Sequence, residues 1–302
     1  MDCANNKQGS MNSPPESGGV SVRLMVAVLL WTAALLGQSP EHPFRGVTHI
    51  TRTETVPRSV TMHIVTIDLS TPGLRFKLTP PGGTRETRRQ TTLAFLNQER
   101  AQIALNAHFF LPFPSADLNA DLIGLAASEG KVYSKCEQPV QSYALVANAP
   151  AINFDRENRA TIVHCEDEPA GLWNTLSGSA QIVTNGVVTI PVYKDATHPN
   201  GQLTANADYS NARSWYDLPR ARTAIGLTRD SRTLVLFTVE AGRNGETSGM
   251  TVGEAANLLL KDYGVYNALN LDGGGSTSLA VGGTRVTAGA REVGSSLVVF
   301  AP

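Results

Sequence analysis

Alternation of apolar and polar positions dominates the chain after its first forty residues. Between Val60 and Leu69 successive side chains alternate between two faces, which is typical of a β-strand with one buried side. Similar short patterns predict strands at Val47–Thr53, Leu74–Leu78, Ile103–Leu105, Ile123–Ala127, Tyr143–Val146, Ile152–Phe154 and Thr161–Val163. Residues 41–58 are predicted to begin as a linker, and residues 111–121, which contain Pro and Asp, to form a loop.

The second half of the chain contains two predicted hairpins. The first runs from Ala180 to Ile190 and turns at Asn185-Gly186, the strongest short-range hairpin signal. The second joins Thr223–Leu227 to Thr233–Val239. The last predicted strands are Tyr266–Leu271, Thr277–Val281, Arg285–Thr287 and Ser296–Phe300.

Only two segments have helical patterns. Thr91–Gln98 predicts a short helix. A longer helix begins after Thr251, which forms a capping box with Glu254, and ends at Gly264, the residue type that adopts a left-handed C-terminal conformation most easily. This helix lies between two predicted strands, so the stretch can form a right-handed crossover. Many strands and few helices predict an α+β fold with a mixed, largely antiparallel sheet flanked by a few helices.

The N-terminal region differs from the rest. Residues 1–20 are polar, and Arg23 precedes an apolar run over residues 24–36. This run suits the core of a secretory signal and is short for a helix that crosses ~30 Å of hydrocarbon. The segment after it, residues 37–40, matches a cleavage site poorly, so an uncleaved anchor stays open. We therefore expect residues 1–39 to be a disordered start plus a signal peptide or anchor, and residues 40–302 to form one domain of an exported protein, periplasmic, cell-envelope or secreted.

Composition narrows the class of protein. The chain has 302 residues, 41% of them hydrophobic, and a formal net charge of -1. Outside a short cluster at Arg85, Arg88 and Arg89 there is no block of basic residues, so we expect no nucleic-acid partner, and membrane contact only through an uncleaved N-terminal segment. Beyond Cys3, the two cysteines are Cys136 and Cys165, which an oxidising compartment allows to pair, although the sequence gives no distance between them.

The most informative polar cluster follows the strand predicted at Tyr266–Leu271. It reads Asn270-Leu271-Asp272-Gly273-Gly274-Gly275-Ser276-Thr277. Consecutive glycines cost backbone entropy on folding, and they make sense where the backbone approaches a ligand and offers N–H donors to an anion. Asp272 is a candidate base, nucleophile or cation ligand. A tight turn with a capping Asp is the alternative for an isolated Asp-Gly, but the whole octet favours function.

Three further clusters follow or open predicted strands. Arg222 precedes an apolar run, and its guanidinium is suited to bidentate recognition of phosphate, with a surface arginine paired to a carboxylate as the alternative. Glu240 and Arg243 lie in a glycine-containing loop after a strand, where an ion pair in a solvated loop is the alternative. Asn106 could fix a sugar hydroxyl, and His108 could act as acid or base, although a His beside two Phe residues is more often a partly buried structural residue.

Taken in order, these clusters resemble the phosphodiester glycosidase family. The resemblance spans residues 100–300, is loose over about 130–200, and is strongest in the Asp272 octet. The matching segments are Asn106–Phe110, Arg222–Gly226, Gly242-Arg243, Gly249–Thr251, Asn270–Thr277 and Arg291–Val293.

The resemblance implies a hydrolase that cleaves a sugar-1-phosphodiester, such as an N-acetylglucosamine-1-phosphodiester or a phosphorylated glycan, at the anomeric C–O bond. Asp272 or Glu240 would be the nucleophile or base. The residues expected to bind substrate are Asn106, His108, Arg222, Arg243, Gly273, Gly274, Gly275, Ser276 and Thr277. The resemblance implies no required cofactor. A divalent cation (calcium or magnesium) bound at Asp272 is an open alternative, although no set of ligands in the sequence demands one. The alternatives are a phosphodiesterase that cleaves P–O and a non-catalytic cell-envelope module that binds glycans.

Overall fold

The computed structural model describes residues 40–136, 143–167, 170–241 and 249–302, and within these ranges β-strands dominate. The strands are β1 (Glu41–Phe44), β2 (Val47–Glu54), β3 (Val60–Asp68), β4 (Arg75–Leu78), β5 (Thr87–Arg88), β6 (Ile103–Asn106), β7 (Phe110–Leu111), β8 (Asn119–Leu122), β9 (Ala126–Ser128), β10 (Lys131–Ser134), β11 (Ala151–Phe154), β12 (Ala160–Val163), β13 (Asn174–Ser177), β14 (Ala180–Thr184), β15 (Val187–Val188), β16 (Arg222–Thr228), β17 (Thr233–Val239), β18 (Val265–Asn270), β19 (Leu279–Val281), β20 (Thr284–Arg285) and β21 (Ser296–Phe300). The two α-helices are α1 (Thr92–Glu99) and α2 (Val252–Tyr263).

The strands form four sheets. The largest has eight strands in the order β1-β2-β3-β17-β16-β18-β14-β15. Two five-stranded sheets have the orders β10-β9-β13-β11-β12 and β20-β19-β6-β21-β4, and β5-β8-β7 make a small fourth sheet. The pairs between these strands are antiparallel. The predicted largely antiparallel arrangement is therefore confirmed, but the part of the chain described here is mostly β and has few helices.

Alternation along β3 explains how the layers stack. Val65 and Ile67 face a core that the eight-stranded sheet shares with both five-stranded sheets. Met62 and Ile64 face the opposite side, where α2 covers the sheet. Each such large apolar side chain that leaves water contributes about 1.5–3 kcal/mol of transfer free energy. On the far side of the β20-β19-β6-β21-β4 sheet, α1 packs Phe95 against the strands.

Several local predictions are confirmed. Thr251 and Glu254 make both hydrogen bonds of the capping box, and Gly264 ends α2 in the left-handed conformation. Asn185 and Gly186 both have positive φ at the tip of the β14–β15 hairpin. Strands β17 and β18 are parallel to each other because each is antiparallel to β16, so α2 does connect them as a crossover. Cys136 and Cys165 form a disulfide, with their Cα atoms 5.8 Å apart.

Three local predictions are wrong. Residues 41–44 form an edge strand rather than a linker, because they pair with β2. Residues 119–122 form β8 within the predicted loop, since pairing with β5 and β7 outweighs the nearby prolines. Tyr143–Val146 is not a strand, and side-chain contacts hold it instead, for example the hydroxyl of Tyr216 that donates to the carbonyl of Ala144 (2.8 Å). The predicted signal segment, residues 1–39, lies outside the described residues, and among those that are described no helix is long and apolar enough to cross a membrane.

Candidate active site

Asp272 lies two residues after the end of β18, where the chain leaves the eight-stranded sheet. Its side chain is partly buried, and this burial raises the pKa of the carboxyl group to about 7. A hydrogen bond from Ser276, the positive charge of Arg291 and the amide of Gly273 oppose this rise. The carboxyl group can therefore exchange a proton near neutral pH, which is the property that a general base or acid needs.

The backbone at Asp272 is fixed by buried polar contacts. The amide of Asp272 donates to the carbonyl of Ala107 (3.0 Å), and Nδ2 of Asn106 donates to the carbonyl of Asp272 (2.6 Å). Oδ1 of Asn106 accepts from Oγ1 of Thr223 (2.9 Å) and from the amide of Ser278 (2.9 Å). Asn106 is completely buried in this arrangement, and its predicted contact with a sugar hydroxyl stays a prediction. It acts on the site by holding the carbonyl of Asp272.

The glycine loop does not form the predicted row of free N–H donors. The amide of Gly274 donates to the carbonyl of Ala221 (2.8 Å), and the amide of Gly273 contacts the Asp272 carboxylate. A short 3₁₀ turn spans Gly274–Ser276, with Gly274 at φ 59°. A Cβ atom at Gly275 would collide with the guanidinium of Arg291. The loop therefore places the amide of Gly273 at the Asp272 carboxylate and leaves space at Gly275 for the side chain of Arg291.

Arg291 is a cation of the site that is absent from the predicted site residues, although it belongs to the last segment of the family resemblance. Its guanidinium lies 4.7 Å from the ring centre of Phe113, and Nη1 is 3.5 Å from Oγ of Ser276. The residue is exposed, and its charge lowers the pKa of Asp272. Ser276 is buried between the two charged groups. Thr277, also buried, has a hydroxyl oxygen with no hydrogen-bond partner.

A second wall of the site consists of two tyrosines and an arginine. Tyr143 and Tyr209 stack with their ring centres 4.5 Å apart and their planes 14° apart. Tyr143 remains 40% exposed. Burial raises its pKa, as do the neighbouring Tyr209 and Asp272, whereas Arg220 lowers it, so all three lie within electrostatic range of this ring. Arg220 is exposed.

Arg222 is placed differently from the prediction. Only 1% of its surface is exposed, and its guanidinium stacks on Trp215 at 4.2 Å from the ring centre. It donates to the carbonyl oxygens of Met250 and Trp215 (both 3.1 Å) and of Leu218, while Nη1 has no partner. Burial lowers its pKa to about 10. The guanidinium therefore faces carbonyl oxygens and an aromatic ring rather than solvent, and its predicted role in phosphate binding stays a prediction.

His108 is also turned inward. It is fully buried, and burial lowers its pKa to about 4. Its Nε2 accepts from the amide of Ser177 (2.9 Å), which leaves Nδ1 to donate to Oγ of Ser295 (2.8 Å). These contacts describe a neutral structural histidine, so the predicted role in substrate binding is not supported by its position.

Glu240 lies at the end of β17, two strands from Asp272. With β16 between them, their backbones are separated by about 10 Å, two inter-strand spacings. Its carboxylate accepts from the amide of Ala288 (3.2 Å) and lies 3.5 Å from Nε2 of His63. Arg243, the predicted partner of Glu240, lies outside the described residues. Among the residues that are described, no group of three or more His, Cys, Asp or Glu is arranged to hold a metal ion.

Comparison with known proteins shows the family of this chain. Residues 99–300 match the family model described as phosphodiester glycosidase. Over 197 residues the chain is 28% identical to the SPbeta prophage-derived uncharacterized protein YomE of Bacillus subtilis, covering 65% of this chain and 27% of that protein. Over 109 residues it is 36% identical to human N-acetylglucosamine-1-phosphodiester alpha-N-acetylglucosaminidase, covering 36% of this chain and 19% of that enzyme. The matches thus span about a quarter or less of these relatives.

Solved structures show the fold. The catalytic domain of zebrafish N-acetylglucosamine-1-phosphodiester alpha-N-acetylglucosaminidase, auto-inhibited by its pro-peptide, superposes with a TM-score of 0.61 at 19% identity, over 85% of this chain and 82% of that one. A hypothetical protein from Synechocystis gives a TM-score of 0.59 at 18% identity, over 85% of this chain and 62% of that one.

Proposed function

This chain belongs to the phosphodiester glycosidase family, and from that premise we propose that it hydrolyses a sugar-1-phosphodiester between the anomeric carbon and the phosphate oxygen. The name of the human relative, an N-acetylglucosamine-1-phosphodiester alpha-N-acetylglucosaminidase, supports N-acetylglucosamine as the first sugar to test. The observation that carries the proposal is a partly buried carboxyl group, Asp272, whose pKa is raised to about 7 beside an exposed arginine, Arg291.

Asp272 supplies the base in this proposal. Its carboxylate takes a proton from water as the water oxygen bonds to the anomeric carbon, and the electrons of the C–O bond pass to the departing phosphomonoester. The leaving group is a stabilised anion, so it needs less help from a general acid than an ordinary sugar alkoxide does. Arg291, whose charge acts on Asp272, and Arg220, which acts on the same Tyr143 ring as Asp272, would neutralise the phosphate charge that grows during cleavage.

The stacked pair of Tyr143 and Tyr209 supports a sugar at this place. An aromatic ring with one exposed face offers a flat apolar surface, and a pyranose ring has a matching apolar face of C–H groups. The ring of Tyr143 is within electrostatic range of both Asp272 and Arg220. A sugar on this ring would hold its anomeric carbon near the carboxylate.

The decisive experiment measures hydrolysis of UDP-N-acetylglucosamine and of an alkyl N-acetylglucosamine-1-phosphate diester by the purified chain. We expect release of free sugar by the wild type and a loss of about a thousandfold or more for Asp272→Asn, since a catalytic base is removed. In ¹⁸O-water the label should enter the sugar; label in the phosphate would instead establish P–O cleavage. Asp230→Asn, an exposed carboxylate at the opposite end of β16, is the matched control.

Two further comparisons complete this test. Glu240→Gln separates the two candidate carboxylates, and a loss there equal to that of Asp272→Asn would move the catalytic role to Glu240. Because we propose that no metal cofactor is required, EDTA should leave the rate unchanged; a loss that calcium or magnesium restores would contradict that part.

We also propose that the protein is exported. The apolar run at residues 24–36 supports a secretory signal. The disulfide between Cys136 and Cys165 supports an oxidising compartment, because such bonds are rare in the reducing cytosol. Fractionation of cells that express the full chain, with N-terminal sequencing of the mature protein, tests this proposal and decides between cleavage and anchoring.

A further inference from the structure

Three exposed hydrophobic side chains occur within eight residues, at the end of β7 and on the loop that follows it. We call this segment, residues 111–118, the 111–118 loop. Of the eight large hydrophobic side chains that are exposed in the described part of the chain, three belong to it: Leu111 (49% exposed), Phe113 (49%) and Leu118 (58%). A single exposed apolar residue is ordinary, whereas several on one surface segment mark a place where an apolar group binds.

Two arginines hold the backbone of this loop. Arg89 donates to the carbonyl oxygens of Ser115 (3.1 Å) and Pro112. Arg85 donates to the carboxylate of Asp117 (3.0 Å). The short basic cluster of the sequence thus binds polar groups of the loop itself, while the loop's hydrophobic side chains stay exposed. A segment that is already held in place loses less conformational entropy when a ligand binds to it.

Phe113 joins the loop to the proposed active site. The guanidinium of Arg291 lies 4.7 Å from the ring centre of Phe113, and Nη1 of the same guanidinium is 3.5 Å from Oγ of Ser276. The Phe113 ring also packs edge-on against the buried ring of Phe110, with 5.9 Å between the ring centres and 74° between the planes. Two neighbours thus fix the orientation of Phe113, and about half of its surface remains open to a ligand.

The two ester groups of a bound phosphodiester need separate places. In the proposed reaction Arg291 binds the phosphate, and the anomeric carbon of the sugar lies at Asp272. A guanidinium N–H bonds a phosphate oxygen at about 2.7–2.9 Å, so a phosphate on Arg291 has its ester oxygens within roughly 10 Å of the Phe113 ring centre. Because the sugar must extend toward Asp272, the second ester group, the alcohol, is the one that can extend over Phe113.

We propose that the 111–118 loop is a subsite for an apolar alcohol, and that the preferred substrate is a sugar-1-phosphodiester whose second ester group is a hydrocarbon chain, as in a lipid. The phosphate lies on the guanidinium of Arg291, and the first methylenes of the chain lie against Phe113. The other exposed side chains of the loop are available to a longer chain. This inference rests on the proposed function for the reaction at Asp272, but binding of the chain does not require hydrolysis.

The test varies the length of the chain. The full-length protein is assayed with the methyl, butyl, hexyl and octyl esters of N-acetylglucosamine 1-phosphate, each below the concentration at which it forms micelles. We expect kcat/KM to rise about twofold for each added methylene, which corresponds to half the transfer free energy of a fully buried CH₂ group. Phe113→Ser should remove most of this rise. Phe113→Leu also loses the ring beside Arg291 but stays apolar, so it should keep the rise. Val187→Ser, at an exposed valine of the β14–β15 hairpin, is the control and should behave like the wild type.

Binding is measured separately from hydrolysis. Calorimetry compares octyl phosphate with methyl phosphate as ligands of the wild type and of Phe113→Ser. We expect the wild type to bind octyl phosphate about tenfold or more tightly than methyl phosphate, and Phe113→Ser to bind the two alike. If octyl phosphate binds in this way but no diester is hydrolysed, the subsite stands and the proposed function falls.

Three results would overturn the subsite. If the diesters are hydrolysed with the same kcat/KM at every chain length and the two alkyl phosphates bind equally, the reaction stands and no apolar alcohol is recognised. If the rise with chain length survives Phe113→Ser, the chain binds elsewhere. If chain length has no effect but Phe113→Ser abolishes cosedimentation of the protein with vesicles of phosphatidylcholine and phosphatidylglycerol, the loop contacts a membrane surface rather than the substrate.

Discussion

The side-chain amide of Asn106 donates a hydrogen bond to the main-chain carbonyl of Asp272, with 2.6 Å between nitrogen and oxygen. Asn106 ends β6 and Asp272 follows β18, so this contact joins the β20-β19-β6-β21-β4 sheet to the eight-stranded sheet at the carboxyl group that we propose as the base. Because Asn106 also accepts from Thr223 and Ser278, one buried side chain sets the position of three segments.

We expect Asn106→Ala to reduce both stability and activity. The hydroxyl of Thr223 and the amide of Ser278 would lose their buried acceptor. Each buried donor that is left unpaired costs about 1–3 kcal/mol of stability. Asp272 would lose its anchor, so kcat should fall by more than KM changes. Urea unfolding and steady-state kinetics measure the two effects.

The control variant is Asn174→Ala. It removes an equally buried asparagine that hydrogen-bonds to the backbone of Phe76 and Leu78, and it should reduce stability but leave kcat unchanged. Equal kinetic losses in both variants would contradict a positioning role.

The pH dependence of activity should report on Asp272. If its carboxylate is the base, kcat/KM rises with pH through about 7, the pKa that burial gives this group. Arg291 lowers that pKa, so Arg291→Ala should shift the acid limb of the profile to higher pH as well as weaken phosphate binding. Arg229→Ala removes a similar arginine stacked on Tyr266 at the other end of the sheet, and its profile should match the wild type. If the acid limb of the pH profile does not shift in Arg291→Ala, the charge of Arg291 does not act on the group that titrates there.

His108 should make the protein less stable in acid. Its pKa is lowered to about 4 in the folded state, against 6.5 in the unfolded state, because burial disfavours the charged ring. The unfolded chain therefore binds more protons between these values, and stability is lost as pH falls from about 6.5 toward 4. The loss is a few kcal/mol at most, about 1.4 kcal/mol per pKa unit. In urea unfolding, we expect the His108→Gln variant to be less stable than the wild type at pH 7.5. Its free energy of unfolding should fall less on acidification. His42 is exposed, and His42→Gln should behave like the wild type.

Features that depend on neighbours in sequence could be predicted, and features that depend on distant partners could not. The capping box of Thr251 and Glu254 and the Asn185-Gly186 turn are written in a few adjacent residues. Arg222 was correctly placed at a strand start, but the direction of its guanidinium depends on carbonyls of Trp215 and Met250, which no local pattern reveals. The place of Arg291 in the site could not be predicted for the same reason, because its partners Asp272 and Ser276 are distant in the sequence.

The last prediction concerns Gly275, where a Cβ atom would meet the guanidinium of Arg291. The obstructing group is the end of a flexible side chain, so Gly275→Ala should change unfolding free energy by no more than about 0.5 kcal/mol while it moves the arginine away from Asp272. We expect a loss of activity of about tenfold, together with the upward shift of the acid limb predicted for Arg291→Ala. Gly282→Ala, in the β19–β20 turn at φ 60°, gives the opposite pattern: strain of about 1 kcal/mol and unchanged kinetics. Full activity in Gly275→Ala would mean that the space kept by this glycine is not needed for catalysis.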